Sequence, residues 1–374
     1  MPPLRPVADT IDDPAEPARP ALKTALRRVW RDAATLQFGL DPATAVVIGG
    51  LDPAAARLVE SLDGTRERTG VLVAASQLGL AEEEAADVLA LLGRAGVLDD
   101  GAADRQALRA LDQRDRDRLA PDLAAASTAP GTSDGGAGVL ARRRAATVSV
   151  HGAGRVGASV ASLLAAAGVG TLAVEDAGTA RLADAAPAGL SLDDEGARRQ
   201  DAALRAARRA APSVSAKLRV PDRPDLAVLA LVGTVDHRVA DRFLRRGVPH
   251  LLATVREGSG VVGPLVLPGR SSCLRCHDLH RADRDPAWPR IAAQLSSGGG
   301  STPAPCDVVL ATTVAATAAL QVVAFLDGTV DVGHLPTVDG TLEVARTDGR
   351  TRRRTWSRHP LCGCAWPGDG AAGG

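Results

Sequence analysis

The chain has 374 residues, 45% hydrophobic and 24% charged, with 44 basic and 44 acidic side chains and so no formal net charge. That composition suits a soluble globular protein of about two domains and excludes a charge-driven nucleic-acid or membrane-surface protein. Tyrosine is absent and only Lys23 and Lys217 are lysines, so almost every positive charge is an arginine.

In chain order, residues 1–20 are rich in Pro and Asp, lack the apolar core of a signal peptide and read as a disordered tail. From 21 to 110 the pattern is a compact α+β module. TLQFGL and AVVIGGL are short strands, and DPAAARLVESL, GVLVAASQLG and EEEAADVLALLGRAG are helices. Short strands with three helices have the size of a winged helix. Across 51–100, four arginines face ten acidic residues, the wrong sign for contacting nucleic-acid phosphate. The stretch 111–140 turns from charged to Ala/Ser/Gly/Pro-rich and reads as a linker.

Beyond it, TVSVHG, GTLAVED and DLAVLALVG alternate with ASVASLLAAAG and RRQDAALRAARRAAP. Strand–helix alternation predicts a Rossmann-like, mostly parallel sheet with helices on both faces. Gly152, Gly154 and Gly157 stand at G-x-G-x-x-G spacing where the first strand meets its helix. Such a turn aims backbone N–H groups and the positive helix end at an anion, and Asp176, closing the next strand, stands where a ribose-binding carboxylate belongs. The turn by itself fits NAD as well as ATP. The uncharged run VVLATTVAATAALQVVAF (308–325) approaches membrane-span length, but its three Thr and one Gln between Asp307 and Asp327 predict a helix buried inside the domain. The expected setting is cytoplasmic, with no membrane partner.

Five cysteines in such a setting indicate metal or catalysis before disulfides. Cys273 and Cys276 form a C-x-x-C, and Cys362 and Cys364 supply a second, tighter pair; together they suit a closed tetrahedral zinc site. His277 and His359 adjoin these ligands. Four thiolates leave no position for an activated water, so the expected Zn²⁺ fastens the C-terminal tail and takes no part in catalysis.

The glycine turn, the strand-ending acid and the late cysteine pairs together resemble the ThiF/MoeB/HesA branch of the E1-like activating enzymes over 142–374. DAGTARLAD (176–184), GARRQDAALRAARRAAPSV (196–214), VGTVDHRVADRFLRRGVPHL (232–251) and PAPCDVVLATTVAATAALQVVAFLDG (303–328) follow the family's order. The resemblance implies ATP and Mg²⁺ binding, and adenylation of the C-terminal carboxylate of a small ubiquitin-like protein or a precursor peptide, by a homodimer. It assigns Gly152, Gly154, Gly157 and Arg155 to the phosphates, Asp176 to the ribose, Arg199 to the phosphates and Asp236 to magnesium. Cys306 becomes a candidate acyl acceptor, its thiol activated by the dipole of the helix it begins. The chain departs from the family pattern at Arg199, where a lysine is usual, at Asp184, where an Asn is usual, and at Pro187, where an arginine is expected. Arginine keeps the charge but not a lysine's compact geometry. A catalytically degenerate scaffold that presents a peptide to a partner enzyme is therefore the alternative reading. Residues 51–100, with L-x-x-x-x-x-L-D-G followed by L-L-x-x-A-G-V-L, are similar to the PqqD-type precursor-peptide recognition fold.

Overall fold

The computed structural model describes residues 16–103, 106–231, 237–297 and 305–364. It divides into two compact units, 1–141 and 142–374.

In the first unit, β1 (Pro20–Leu22) pairs antiparallel with β5 (Leu98–Asp100), and β2 (Arg28–Asp32), β3 (Thr35–Phe38) and β4 (Val46–Ile48) form an antiparallel meander. Helices α1 (Pro53–Glu60), α2 (Arg68–Gln77) and α3 (Glu82–Arg94) supply most of the remaining core, where Leu36, Phe38, Leu58, Leu89 and Leu92 are buried. Local chemistry sets the helix starts. Asp52 accepts from the Ala54 and Ala55 amides with Pro53 in the first turn, while Glu82, Glu83 and Glu84 place negative charge at the start of α3. A short α4 (Gln106–Arg109) follows.

Two expectations are corrected here. The tail does not run to residue 20, because the Ala18 and Arg19 amides donate to Asp100 and Pro20 opens β1; residues 1–15 lie outside the described residues. The stretch read as a linker is largely helical: α5 (Gln113–Ser127) is capped by Asp112, which accepts from the Asp115 amide, and buries Leu119 with Leu111 and Leu140. Charged residues cover the faces that Leu119 and Leu123 leave open. The division between units falls within α6 (Ala137–Ala145).

The second unit is built on an eight-stranded sheet. In chain order it contains β6 (Thr147–His151), α7 (Arg155–Ala166), β7 (Thr171–Glu175), α8 (Arg199–Ala210), β8 (Ser215–Lys217), β9 (Leu226–Leu229), α9 (His237–Arg245), β10 (His250–Arg256), β11 (Ser259–Val266), α10 (Leu274–Arg284), α11 (Trp288–Ser297), α12 (Val308–Asp327), β12 (Gly340–Ala345) and β13 (Thr351–Thr355). The strand order is β13-β12-β11-β10-β9-β6-β7-β8. Strands β10, β9, β6, β7 and β8 run parallel, and β11, β12 and β13 extend the sheet antiparallel. The central parallel strands β9 and β10 read as largely apolar runs because both faces are covered. On β9, Leu226 and Val228 join the large core with α7, α8 and α12, whereas Ala227 and Leu229 pack with Phe243 of α9 and Leu274 of α10. The expected mostly parallel sheet with helices on both faces is what forms.

Helix α12 is long and apolar enough to cross a membrane, yet Leu310, Val314, Ala318 and Val322 are buried in the domain core. Asp307 caps its start, accepting from the Val309 and Leu310 amides, and Gly328 ends it in the left-handed conformation at φ 59°. Its last residue, Asp327, is gripped in bidentate fashion by Arg143, with Nε–Oδ1 and Nη2–Oδ2 both 2.7 Å and both side chains buried. Removing one member of such a pair strands the other charge out of water. Asp327→Ala is therefore expected to cost about 3–5 kcal/mol, read as a drop in the denaturant midpoint of the second unit's transition.

Candidate nucleotide site and thiolate cluster

The glycine turn is shaped by close backbone approach. Gly152 follows β6 at φ 92°, and a Cβ there would lie 2.4 Å from the Ala230 carbonyl oxygen. At Gly157, inside α7, a Cβ would lie 1.8 Å from the Gly152 oxygen. Neither position accepts a side chain without moving the β6–α7 junction. Gly154 has a different role: it caps α7 with no side-chain hydrogen bond, leaving the helix's first amides free of a capping group.

Asp176 sits beside this turn with its side chain 7% exposed. Its Oδ2 accepts from the Ala153 amide at 2.7 Å, and its Oδ1 accepts from the Gly178 amide at 2.7 Å and from Arg199 Nε at 3.1 Å. Arg199 begins α8 and also approaches Asp184 Oδ1 at 3.7 Å. Its guanidinium lies flat over Gly178, where a Cβ would come within 2.3 Å of Nη2. Together Gly152, Asp176, Gly178 and Arg199 line a cleft of about 490 Å³ at the carboxyl ends of β6, β7 and β9. That is where open α/β sheets bind ligands.

The structure adds residues to this cleft that the sequence did not single out. His151, Glu175, Arg238 and Arg242 line it too. His151 Nδ1 is 3.2 Å from Glu175 Oε2, which also pairs with Arg242 at 3.2 Å. Position was the available signal, since His151 is the last residue of the strand that leads into the turn.

Arg155 does not line this cleft. Its Nη1 donates to the Cys306 carbonyl at 2.7 Å. Cys306 lines a separate hollow with Pro305, Asp307 and Glu257, and its expected activation is corrected. Helix α12 starts at Val308 with its first amides occupied by Asp307, and burial pushes the Cys306 thiol up from its ordinary value. Asp236 lies outside the described residues, one position before α9.

At the start of α10 and in the C-terminal tail, the Sγ atoms of Cys273, Cys276, Cys362 and Cys364 all lie within 4.8 Å of one another, with Cys273–Cys276 at 3.8 Å and Cys273–Cys362 and Cys276–Cys364 both at 3.4 Å. A tetrahedron of sulfurs about 2.3 Å from zinc has edges of about 3.8 Å, so these residues fit a structural Zn²⁺. The neighbouring histidines are engaged elsewhere. His277 stacks on Trp356 with ring centroids 4.4 Å apart, and burial pushes its pKa down to about 3. His359 meets Asp283 at 2.9 Å and accepts the Leu361 amide at Nδ1.

Two outcomes are expected. Elemental analysis of protein purified under reducing conditions finds one zinc per chain, and Cys276→Ser loses it while exposing the C-terminal tail to protease. Separately, burial holds His151 and His250 at pKa values of about 4, below the unfolded value of about 6.5. The unfolded chain therefore takes up protons that the folded one refuses. Stability is full above pH about 6.5 and falls as pH drops toward 4, by up to about 2.7 kcal/mol per unit for two protons; denaturant midpoints across this window measure it.

The ThiF family profile matches residues 131–364. No curated protein matches the sequence at a significant level. Among solved structures, E. coli MccB crystallised with ATP aligns with a TM-score of 0.67 at 14% identity, covering 92% of this chain and 98% of that one. The microcin C7 biosynthetic enzyme MccB in complex with N-formylated MccA gives 0.67 at 14%, over 92% and 99%. PaaA gives 0.67 at 19%, over 90% and 100%. At these identities the likeness shows a shared fold. The family profile, which spans well over half of the chain and both the glycine turn and all four clustered cysteines, establishes that the protein belongs to the ThiF family.

Proposed function

We propose that this protein uses ATP and Mg²⁺ to adenylate the C-terminal carboxylate of a peptide or small ubiquitin-like protein. The observation that carries the reading is the convergence of Gly152, the first glycine of the turn, with Asp176 and Arg199 on one cleft at the strand ends. A carboxylate is a poor electrophile, and the acyl adenylate makes it reactive toward amines or thiols. One carboxylate oxygen attacks the α-phosphorus of ATP as the bond to the departing pyrophosphate breaks, and the charge on that leaving group must be stabilised.

Each residue has a role in this reading. The open amides at the start of α7 hold phosphate, the placement that a helix N-terminus favours. Asp176 takes a ribose hydroxyl, since a carboxylate offers about four acceptor positions and three are in use. Arg199 swings from Asp176 toward the phosphates, and Arg238 and Arg242 add positive charge to the wall. Asp236 holds the magnesium, which when bound neutralises the departing pyrophosphate. The four cysteines hold zinc and pin the tail. The acidic first unit, with its PqqD-like pattern, captures the peptide by adding it as a strand to an exposed sheet edge, and the active form is a homodimer in the cytoplasm. MccB, solved both with ATP and with MccA, supports a nucleotide and a peptide-like partner on this fold.

A degenerate, peptide-presenting scaffold is favoured by Pro187 in place of the family arginine and by the Arg199–Asp176 ion pair that fills the ribose position. Calorimetry with ATP·Mg²⁺ separates the two. Adenylation predicts micromolar ATP binding, weakened at least about tenfold (~1.4 kcal/mol) by Arg199→Ala and less by Arg199→Lys. Asp236→Ala is expected to lose the magnesium-dependent part. Absence of ATP binding would leave the scaffold, and preference for NAD would overturn both.

A further inference from the structure

A second cavity of about 50 Å³ lies between β10, β11 and β12 and the helices α9, α10 and α11. Arg256, Asp278, Arg281, Trp288, His237, His277 and Thr341 supply its polar lining. Their charges do not balance. Asp278 already has three partners: its Oδ1 accepts from Arg281 at 2.9 Å and from the Trp288 indole at 3.1 Å, and its Oδ2 meets His237 Nε2 at 2.5 Å. The nearby Glu343 is engaged by Arg352 at 3.0 Å and Arg354 at 2.9 Å. Arg256 has no hydrogen bond or ion pair with any described residue, and its Nε is buried without a partner. Burial and the facing Arg281 push its pKa down, against weaker pull from Asp278 and Glu343.

An uncompensated guanidinium is costly in such a cavity, and an arginine fork is the group best shaped to receive a carboxylate. The space holds about three or four water-sized positions, enough for a carboxylate and the carbon that bears it but not for a nucleotide. One unmatched positive charge suits one carboxylate better than a phosphate dianion. The cavity wall includes His237 at the start of α9, and Arg238, Val239 and Arg242 of the same helix line the nucleotide cleft, so the two spaces share α9. We infer that this cavity is a specificity pocket that pairs Arg256 with an acidic side chain, Asp or Glu, close to the activated C-terminus of the peptide or protein substrate. The inference rests on the adenylation reading for the identity of the ligand, whereas the pocket's affinity for a carboxylate does not.

The test uses the full zinc-loaded chain without nucleotide, followed by thermal melting and tryptophan fluorescence. The probes are N-acetylglutamate amide, its uncharged N-acetylglutamine counterpart and inorganic phosphate. The acid is expected to raise the melting temperature and perturb Trp288, with the neutral analogue and phosphate at least tenfold weaker. Arg256→Met is expected to melt above the parent when no probe is present, having lost a stranded charge, and to bind the acid at least tenfold less tightly. Arg256→Gln repeats the affinity loss with a polar replacement, and the exposed Arg290→Gln leaves affinity unchanged. Equal binding of acid and amide, stronger binding of phosphate, or undiminished affinity in both Arg256 variants would overturn the assignment, as would Arg256→Met melting below the parent. Loss of ATP binding with acid binding intact would instead count against adenylation alone.

Discussion

The architecture of the second unit depends on one steric fact, the absence of side chains where α7 crosses the end of β6. The Gly152 carbonyl occupies the volume that a Cβ at Gly157 would need, and the Ala230 carbonyl does the same for Gly152. This contact lets three parallel strands end at one place. The Gly152 amide donates to Glu175, the Ala230 amide to His151, and the Ala153 amide to the Asp176 carboxylate. The cleft is thus bounded by backbone whose hydrogen bonds already belong to the sheet, a rigid frame for whatever groups the strand ends carry.

On that frame the charged groups are arranged unequally. The chain as a whole is neutral, and several of its less exposed acids pair with arginines: Arg143 with Asp327, Arg205 with Asp194, Glu343 with Arg352 and Arg354. Arg155, Arg242 and Arg256 each keep a buried Nε without a partner, but Arg155 and Arg242 are held through their other nitrogens, whereas Arg256 has no hydrogen bond or ion pair with any described residue. Arg199 illustrates a different arrangement. It keeps the charge that a lysine would bring, but its planar fork spreads over Gly178 and reaches back to Asp176, so cation and carboxylate hold each other in the absence of ligand. Nucleotide entry has to exchange that pair for new contacts, which sets the cleft apart from one whose cation stands free.

How much of this was legible in the sequence follows from how local each requirement is. The glycines and cysteines were readable because their roles demand a residue type: no other residue survives the 152–157 contact, and no other side chain suits a thiolate tetrahedron. Buried parallel strands announce themselves as apolar runs. Helix α5 was hidden because Leu119 and Leu123 are its main apolar contacts and charged residues fill the rest. Cys306 was misjudged by two residues; with Asp307 seated on the α12 amides, the preceding thiol receives burial and a neighbouring negative charge in place of an activating dipole. The cavity at Arg256 was invisible for a deeper reason. Its walls run from His237 to Thr341, more than a hundred positions along the chain, and the pairing of β10 with β11 and of β11 with β12 helps to bring them together.

That separation gives the four-cysteine cluster a wider consequence. Cys273 and Cys362 are 89 positions apart, and the chain between them contains α10, α11, α12, β12 and β13. A bound metal turns this stretch into a closed loop and removes from the unfolded ensemble a closure entropy of about 4 kcal/mol in the simplest polymer estimate. Asp278, Trp288 and Thr341 all lie inside the loop, and Arg256 lies just outside it. The metal therefore acts as a topological clasp: it ties down α10, whose Leu274 and His277 adjoin the cluster and line the cavity, while the sheet carries the other wall, so metal occupancy and the tightness of the adjoining pocket become linked quantities.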